Sequence, residues 1–165
     1  MRSCHPLAYF EAADHAELAS AGTFEELRDI GFRVLARMPD DVWMVCGPIT
    51  SGGLGSLEKN VDRFNSAIDL LSAQGRNVFT QMPFEGPMQR LRVGMSAFES
   101  GALILNTFYL PIFRSAKVTT LCFIHDWQTS MGAQWEHERA IELGLKRKYF
   151  CENLEFSAAA HVFFE

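Results

Sequence analysis

Two short stretches of this sequence gather residue types that do chemistry. The first, Gly47-Pro-Ile-Thr-Ser-Gly-Gly-Leu-Gly-Ser56, is rich in glycine and carries the hydroxyls of Thr50, Ser51 and Ser56. Glycines let the backbone approach a ligand closely, and free N–H groups at the start of a following helix suit a phosphate. Gly47, Pro48, Ile49, Thr50, Ser51, Gly52 and Gly53 are therefore candidate binding residues, with a plain connector as the alternative. The spacing is neither GxGxxG nor GxxxxGK(S/T), so it supports neither a dinucleotide fingerprint nor a P-loop. The second stretch is Ser130-Met-Gly-Ala-Gln-Trp-Glu-His-Glu-Arg-Ala140. On a helix of about 3.6 residues per turn, Ala133, Ala140, Leu143 and Gly144 share one arc and Glu136 falls inside it. Gln134, Glu138 and Glu142 fall opposite. A carboxylate aimed at the core from an opening helical turn either caps that helix through its dipole or serves as a nucleophile at the mouth of a pocket. Burying its charge without partners would be costly. His137, on the edge of the arc, reads as a core or supporting histidine.

The elements that must position these stretches can be read around them. Thr23 and Glu26 have capping-box spacing ahead of Leu27, Ile30, Val34 and Leu35, which predicts a mainly helical extension over residues 1–40. Val42-Trp-Met-Val-Cys46 is wholly apolar and ends at Gly47-Pro48, as a strand buried on both faces would. Leu57, Val61, Phe64, Ile68 and Leu71 then recur at helical spacing up to a Gly75 cap. Asn77 to Met82 predicts a second strand halted by Pro83. Between 84 and 117 the glycines break the periodicity, and the apolar run from Ala102 to Phe113 fits either a buried helix or an interface element. Val118 to Ile124 is a predicted buried strand, His125 to Met131 a loop, and Gly132 to Leu143 a helix, with Tyr149-Phe150 as a further short strand. This alternation implies an α/β fold of three layers with a mainly parallel sheet over 41–165. Ligands of such folds sit where the carboxyl ends of strands meet helix starts.

At 165 residues, one core must serve the whole chain. The 48% apolar content and the 21% charged fraction exclude bulk disorder. A net charge of −5 argues against a footprint for nucleic acid polymers, while a small anionic ligand needs only one local donor cluster. Cys4, Cys46, Cys122 and Cys151 show no CxxC or His-linked metal spacing. They are expected as reduced thiols, with no metal and no cofactor. The N-terminus lacks a signal-peptide apolar stretch, and Gly101–Phe113 is far shorter than the roughly 20 residues that span a bilayer. A cytoplasmic protein without membrane contact is the expectation.

The run Val42 to Pro48, the Gly/Ser loop, Asn60, Phe64 and Ala67, Gly75, Pro83 and Trp127-x-x-Ser130-x-Gly132-Ala133-x-x-Glu136-x-x-x-Ala140 together resemble the nucleoside 2-deoxyribosyltransferase superfamily. The likeness covers roughly 42–145 and is greatest to small bacterial members and to nucleoside 5′-monophosphate N-glycosidases. It implies a flavodoxin-like Rossmannoid fold, usually dimeric, that cleaves the bond between a sugar and its base. Glu136 would then attack the anomeric carbon to give a glycosyl ester, in the manner of a retaining glycosidase. Serine at position 130, where nucleoside-specific members place aspartate, implies a nucleoside monophosphate, because a second carboxylate would repel phosphate. Gly132 joins the binding set, and Trp43, Phe84 or Trp127 would lie against the base, Trp43 standing where the family carries a tyrosine.

One departure stands out. The family's aspartate that handles the base's proton should fall near Tyr109, and no Asp or Glu occurs between Glu99 and Asp126. Asp126, His125 or Tyr109 are the candidate substitutes. Loss of that acid gives a second reading, a non-catalytic nucleotide-binding or sensor protein of the same fold. A third starts from Ser51-Gly-Gly-Leu-Gly-Ser-Leu-Glu58-Lys59, which is similar to the loop of cytokinin-type phosphoribohydrolases and would make Glu58 important. The 1–40 and 101–113 segments are expected to bury surface in a homodimer or higher homo-oligomer.

Overall fold

The computed structural model describes residues 5–155; Cys4 and the end of the 41–165 unit lie outside them. Four strands form one parallel sheet in the order β2-β1-β3-β4, with β1 at Val42–Cys46, β2 at Asn77–Val78, β3 at Val118–Phe123 and β4 at Lys146–Tyr149. Every residue of β1 is buried, as expected of a strand covered on both faces. Alternation along β1 sends Trp43 and Val45 to one face and Val42, Met44 and Cys46 to the other. Helix α3 (Leu57–Ala73) covers the first face with Phe64, Ala67, Ile68 and Leu71. The second face carries the aromatic core of Phe79, Phe84, Phe108, Phe113 and Phe123. It is covered by α2 (Phe24–Arg37), α4 (Met82–Leu91), α6 (Leu110–Phe113) and α7 (Met131–Glu142). The result is a three-layer, Rossmann-like α/β fold, with strand order as in flavodoxin-like sheets.

Three elements depart from the sequence expectations, the last strand among them, which runs Lys146–Tyr149 and not Tyr149-Phe150. The second strand ends at Val78, although the backbone N–H of Phe79 still reaches the Trp43 carbonyl at 3.0 Å. Two residues on, the side-chain amide of Gln81 donates to the Val45 carbonyl at 2.8 Å, so a side chain takes the place of the ladder and frees the backbone to turn. Helix α4 therefore starts at Met82 with Pro83 in its first turn, where a missing N–H costs nothing. The unreadable stretch 84–117 holds the rest of α4, a turn, and then one continuous helical rod: α5 (Ala97–Leu103), a π-helical segment over Ile104–Tyr109, then α6. A π segment breaks the 3.6-residue period, which is why the apolar spacing there matched no template, and such segments cluster at functional sites.

The N-terminal helices belong to the same core. The Thr23–Glu26 capping box is present, and Leu27, Ile30, Val34 and Leu35 are buried. Gly31 is where α2 meets the rod: a side chain there would come within 3.2 Å of Ile112 and 3.5 Å of Phe108. Asp14 of α1 (Ala12–Ser20) is fully buried. It accepts from Arg37 at 2.5 Å, from Arg33 at 3.4 Å and from the backbone N–H of Glu11 at 2.8 Å. Burial pushes its pKa up, but the Arg37 hydrogen bond and the Glu11 N–H outweigh this and hold the carboxyl below the usual range. Asp14→Ala strands two guanidinium groups that remain half exposed, so we expect a loss of about 2 kcal/mol in urea unfolding at pH 7. That contribution is present above the unfolded carboxyl value and disappears as pH falls below about 4.

Candidate active site

The strand order reverses between β1 and β3, the point outside whose carboxyl ends α/β sheets carry their ligand crevice. Both sequence stretches lie there. The 47–56 loop is anchored from below by Asn60, whose carboxamide accepts from the N–H of Leu54 at 2.9 Å and donates to the carbonyls of Ile49 and Gly52 at 3.2 and 3.1 Å. From the β3 side, the Thr129 hydroxyl accepts from the N–H of Gly53 at 2.7 Å and donates to the Asp126 carbonyl, also at 2.7 Å. Ser56 and Ser130 cap α3 and α7, accepting from the N–H groups of Lys59 and Ala133. Two helix starts and the glycine turn thus converge, and Gly47, Pro48, Ile49, Thr50, Ser51, Gly52, Gly53, Ser130 and Gly132 fall in one neighbourhood.

Arg63 adds a charge that the sequence did not single out. Its side chain is 11% exposed, and one guanidinium nitrogen lies so close beneath Gly53 that a Cβ there would stand 3.1 Å away. Nε and that nitrogen are buried without a hydrogen-bond partner, while the other terminal nitrogen is 3.9 Å from Asp126.

Glu136 is 7% exposed and sits in the second turn of α7, because the helix begins at Met131. That is one turn too far in to cap the helix. Its neighbour is Cys46, the last residue of β1, whose thiol hydrogen-bonds its carboxylate. Burial, opposed by that thiol and reinforced by the charge of Glu85, raises its pKa to about 8. Among the described residues no cation pairs with it. His137 is a supporting residue: it bonds the Tyr149 hydroxyl at 2.6 Å and stacks on Trp127 at 4.4 Å. Burial, and after it the charge of Arg147, lowers its imidazole pKa below the usual value. Trp127 is thereby the anchor of its loop.

Two proposed aromatics are not brought to the crevice. Trp43 points to the opposite face of β1, packs with the α3 layer and lies under the guanidinium of Arg76 at 4.4 Å. Phe84 is wholly buried among Phe10, Phe79 and Phe108. In both cases side-chain alternation and the core override proximity in sequence. Glu58 is exposed on the first turn of α3.

Besides Arg63, sequence reasoning missed Glu85 on α4. It is half-buried, and with Ile49, Thr50, Leu57, Val61 and Met82 it lines a cleft of about 320 Å³ between α3, α4 and the glycine loop. Burial lifts its pKa to about 7 against the pull of Arg92. Tyr109, at the end of the π segment, is buried within electrostatic reach of Glu85, Glu136 and Cys46. Burial first, then these acids, push its phenol well above the ordinary value. A second crevice lies on the β4 side, where His125 pairs with Asp126 at 3.0 Å beside Tyr149 and Cys151. Among the described residues no group of His, Cys, Asp and Glu is placed to hold a metal, and no helix is long and apolar enough to cross a membrane.

The fold and site define a Rossmann-like α/β protein with a glycine turn at its switch point and a buried carboxylate, Glu136, beside the end of β1. No protein-family model, curated protein or solved structure matches the chain.

Proposed function

We propose that the protein cleaves the base–sugar bond of a nucleoside monophosphate, as a nucleotide N-glycosidase or deoxyribosyltransferase, through Glu136. The observation that carries this reading is a carboxylate buried in the interior of α7, unpaired with any cation among the described residues and next to the end of β1. A fold does not keep such a group for stability, and perturbed carboxylates at a switch point are what glycoside chemistry uses. A carboxylate oxygen of Glu136 attacks C1′, and the C1′–N pair leaves with the base. Water or a second base then opens the ester and restores the carboxylate.

The phosphate is supported by the glycine turn, by the α3 and α7 starts and by the charge of Arg63 beneath Gly53, whose buried donors an anion would satisfy. Ser130 contributes a hydroxyl rather than a repelling carboxylate. The resemblance to the nucleoside 2-deoxyribosyltransferase superfamily, the homo-oligomer and the cytoplasmic location go with this reading, and a monomeric mass in solution would remove the oligomer from it.

The test is base release from a panel of ribo- and deoxyribonucleoside monophosphates, read by chromatography, with Glu136→Ala as control. Activity that survives the substitution sinks the proposal. Thermal stabilisation by a nucleotide without turnover on any of them would instead mark a binding or sensor protein.

A further inference from the structure

A departing nucleobase needs a proton, and none of the three residues suggested for this by the sequence is well placed. His125 and Asp126 are engaged with each other, and they line the crevice on the β4 side. Tyr109 is buried among acids that make its phenol a poorer donor still. Glu85 differs from all three. It stands on α4, facing Ile49 and Thr50 of the glycine loop across a cleft. It lines the cleft shared with the glycine loop and is close enough to Glu136 to interact with its charge. Among the described residues its carboxyl has neither a hydrogen bond nor an ion pair, although half-buried. The rest of that cleft suits a base: Ile49, Leu57, Val61 and Met82 offer apolar faces for a flat ring, and the Asn65 amide offers a donor and an acceptor for its edge.

We propose that Glu85 is the general acid of this site and that the cleft between α3 and α4 holds the nucleobase. This rests on the function proposed above. As Glu136 bonds to C1′, the C1′–N bond breaks toward the base, the Glu85 carboxyl gives its proton to the departing base, and Glu85 is left as a carboxylate. In the second half Glu85 takes a proton from the water that attacks C1′, the ester C–O bond breaks, and both groups return to their starting states. The two roles fall to two residues whose environments differ: Glu136 in the interior, Glu85 at the cleft wall.

The test compares Glu85→Gln and the parent on guanosine 5′-monophosphate, or whichever purine nucleotide the panel shows to be cleaved best, and on its 7-methylated form. The methylated base already carries a positive charge and leaves without being protonated. The expected result is a fall of about a hundredfold or more on the ordinary nucleotide with the methylated one cleaved within threefold of the parent. Glu85→Asp, which keeps an acid, restores at least a tenth of the parent rate on the ordinary nucleotide. A fall of equal size on both substrates, or on neither, overturns the assignment of Glu85 while leaving Glu136 standing. A parent that releases base from neither substrate overturns the assignment together with the proposed function.

Discussion

Glu136→Gln is expected to lower base release by about ten-thousandfold or more while nucleotide affinity stays within threefold of the parent. The amide keeps the shape and volume of the carboxyl but has no oxygen able to form an ester with C1′, and losses of this size follow when a nucleophile is removed. Binding should survive because the proposed phosphate site lies elsewhere, at the turn that Asn60 and Thr129 fix. Rapid-quench assays for turnover and calorimetry for affinity separate the two quantities. Equal losses in both would mean that position 136 shapes the pocket rather than reacting.

The same substitution has a stability consequence of definite sign. The folded protein holds a proton on Glu136 up to about pH 8, whereas the unfolded chain releases it near the ordinary carboxyl value of about 4.3. The folded state therefore binds more protons between these limits, and stability falls as pH rises through that window before levelling off above it. Glu85, raised to about 7 chiefly by burial, steepens the same fall. In Glu136→Gln the slope between pH 5 and 8 is shallower, and at pH 8 the variant melts above the parent. For the parent, the reactive form is the one with Glu136 ionised and Glu85 protonated, the minor of the pair's two singly protonated forms, so kcat/KM is expected to be bell-shaped around pH 7 to 8 with limbs that belong to the pair rather than to either residue.

Much of this was legible in the sequence, for reasons that mark where legibility stops. β1 could be read because a strand covered on both faces is apolar throughout, β3 because Val118 to Phe123 is β-branched and apolar, and α3 and α7 because their buried faces keep a single period. Glu136 could be read because one carboxylate on an apolar arc violates that pattern. Its exact turn could not, since one residue of helix start decides whether it caps or lies inside. β4 was placed too late because Lys146, Arg147 and Lys148 make an edge strand that hydropathy does not register. Glu85 was hidden for a local reason: Pro83, Gly86 and Pro87 around it spell a turn, yet Pro83 fits a first helical turn and α4 runs on through Pro87. Arg63 was hidden because nothing in an exposed-looking helical position announces that a loop will fold over it.

Gly52→Ala is expected to weaken nucleotide binding by about a hundredfold and to slow turnover with it. Gly52 has a φ of 72°, in the left-handed region, and a Cβ there would stand 2.5 Å from the carbonyl oxygen of Thr129 and 2.6 Å from its hydroxyl. The first cost is about 1 kcal/mol of backbone strain. The second is steric and cannot be relieved by a rotamer, because the obstruction is backbone and the hydroxyl is already committed to Gly53 and Asp126. The two loops must part, and the parting reaches the chemistry by a short route: Thr129 precedes Ser130, Ser130 caps α7, and α7 carries Glu136. Gly55→Ala separates the two costs, since Gly55 has a φ of 82° with nothing within 4 Å of the added carbon. It should show the strain in its melting temperature and leave affinity within a few-fold of the parent. If Gly52→Ala binds nucleotide as Gly55→Ala does, the contact between the β1 and β3 loops is not what shapes the anion site, and the phosphate must be held by Arg63 and the helix starts without the turn.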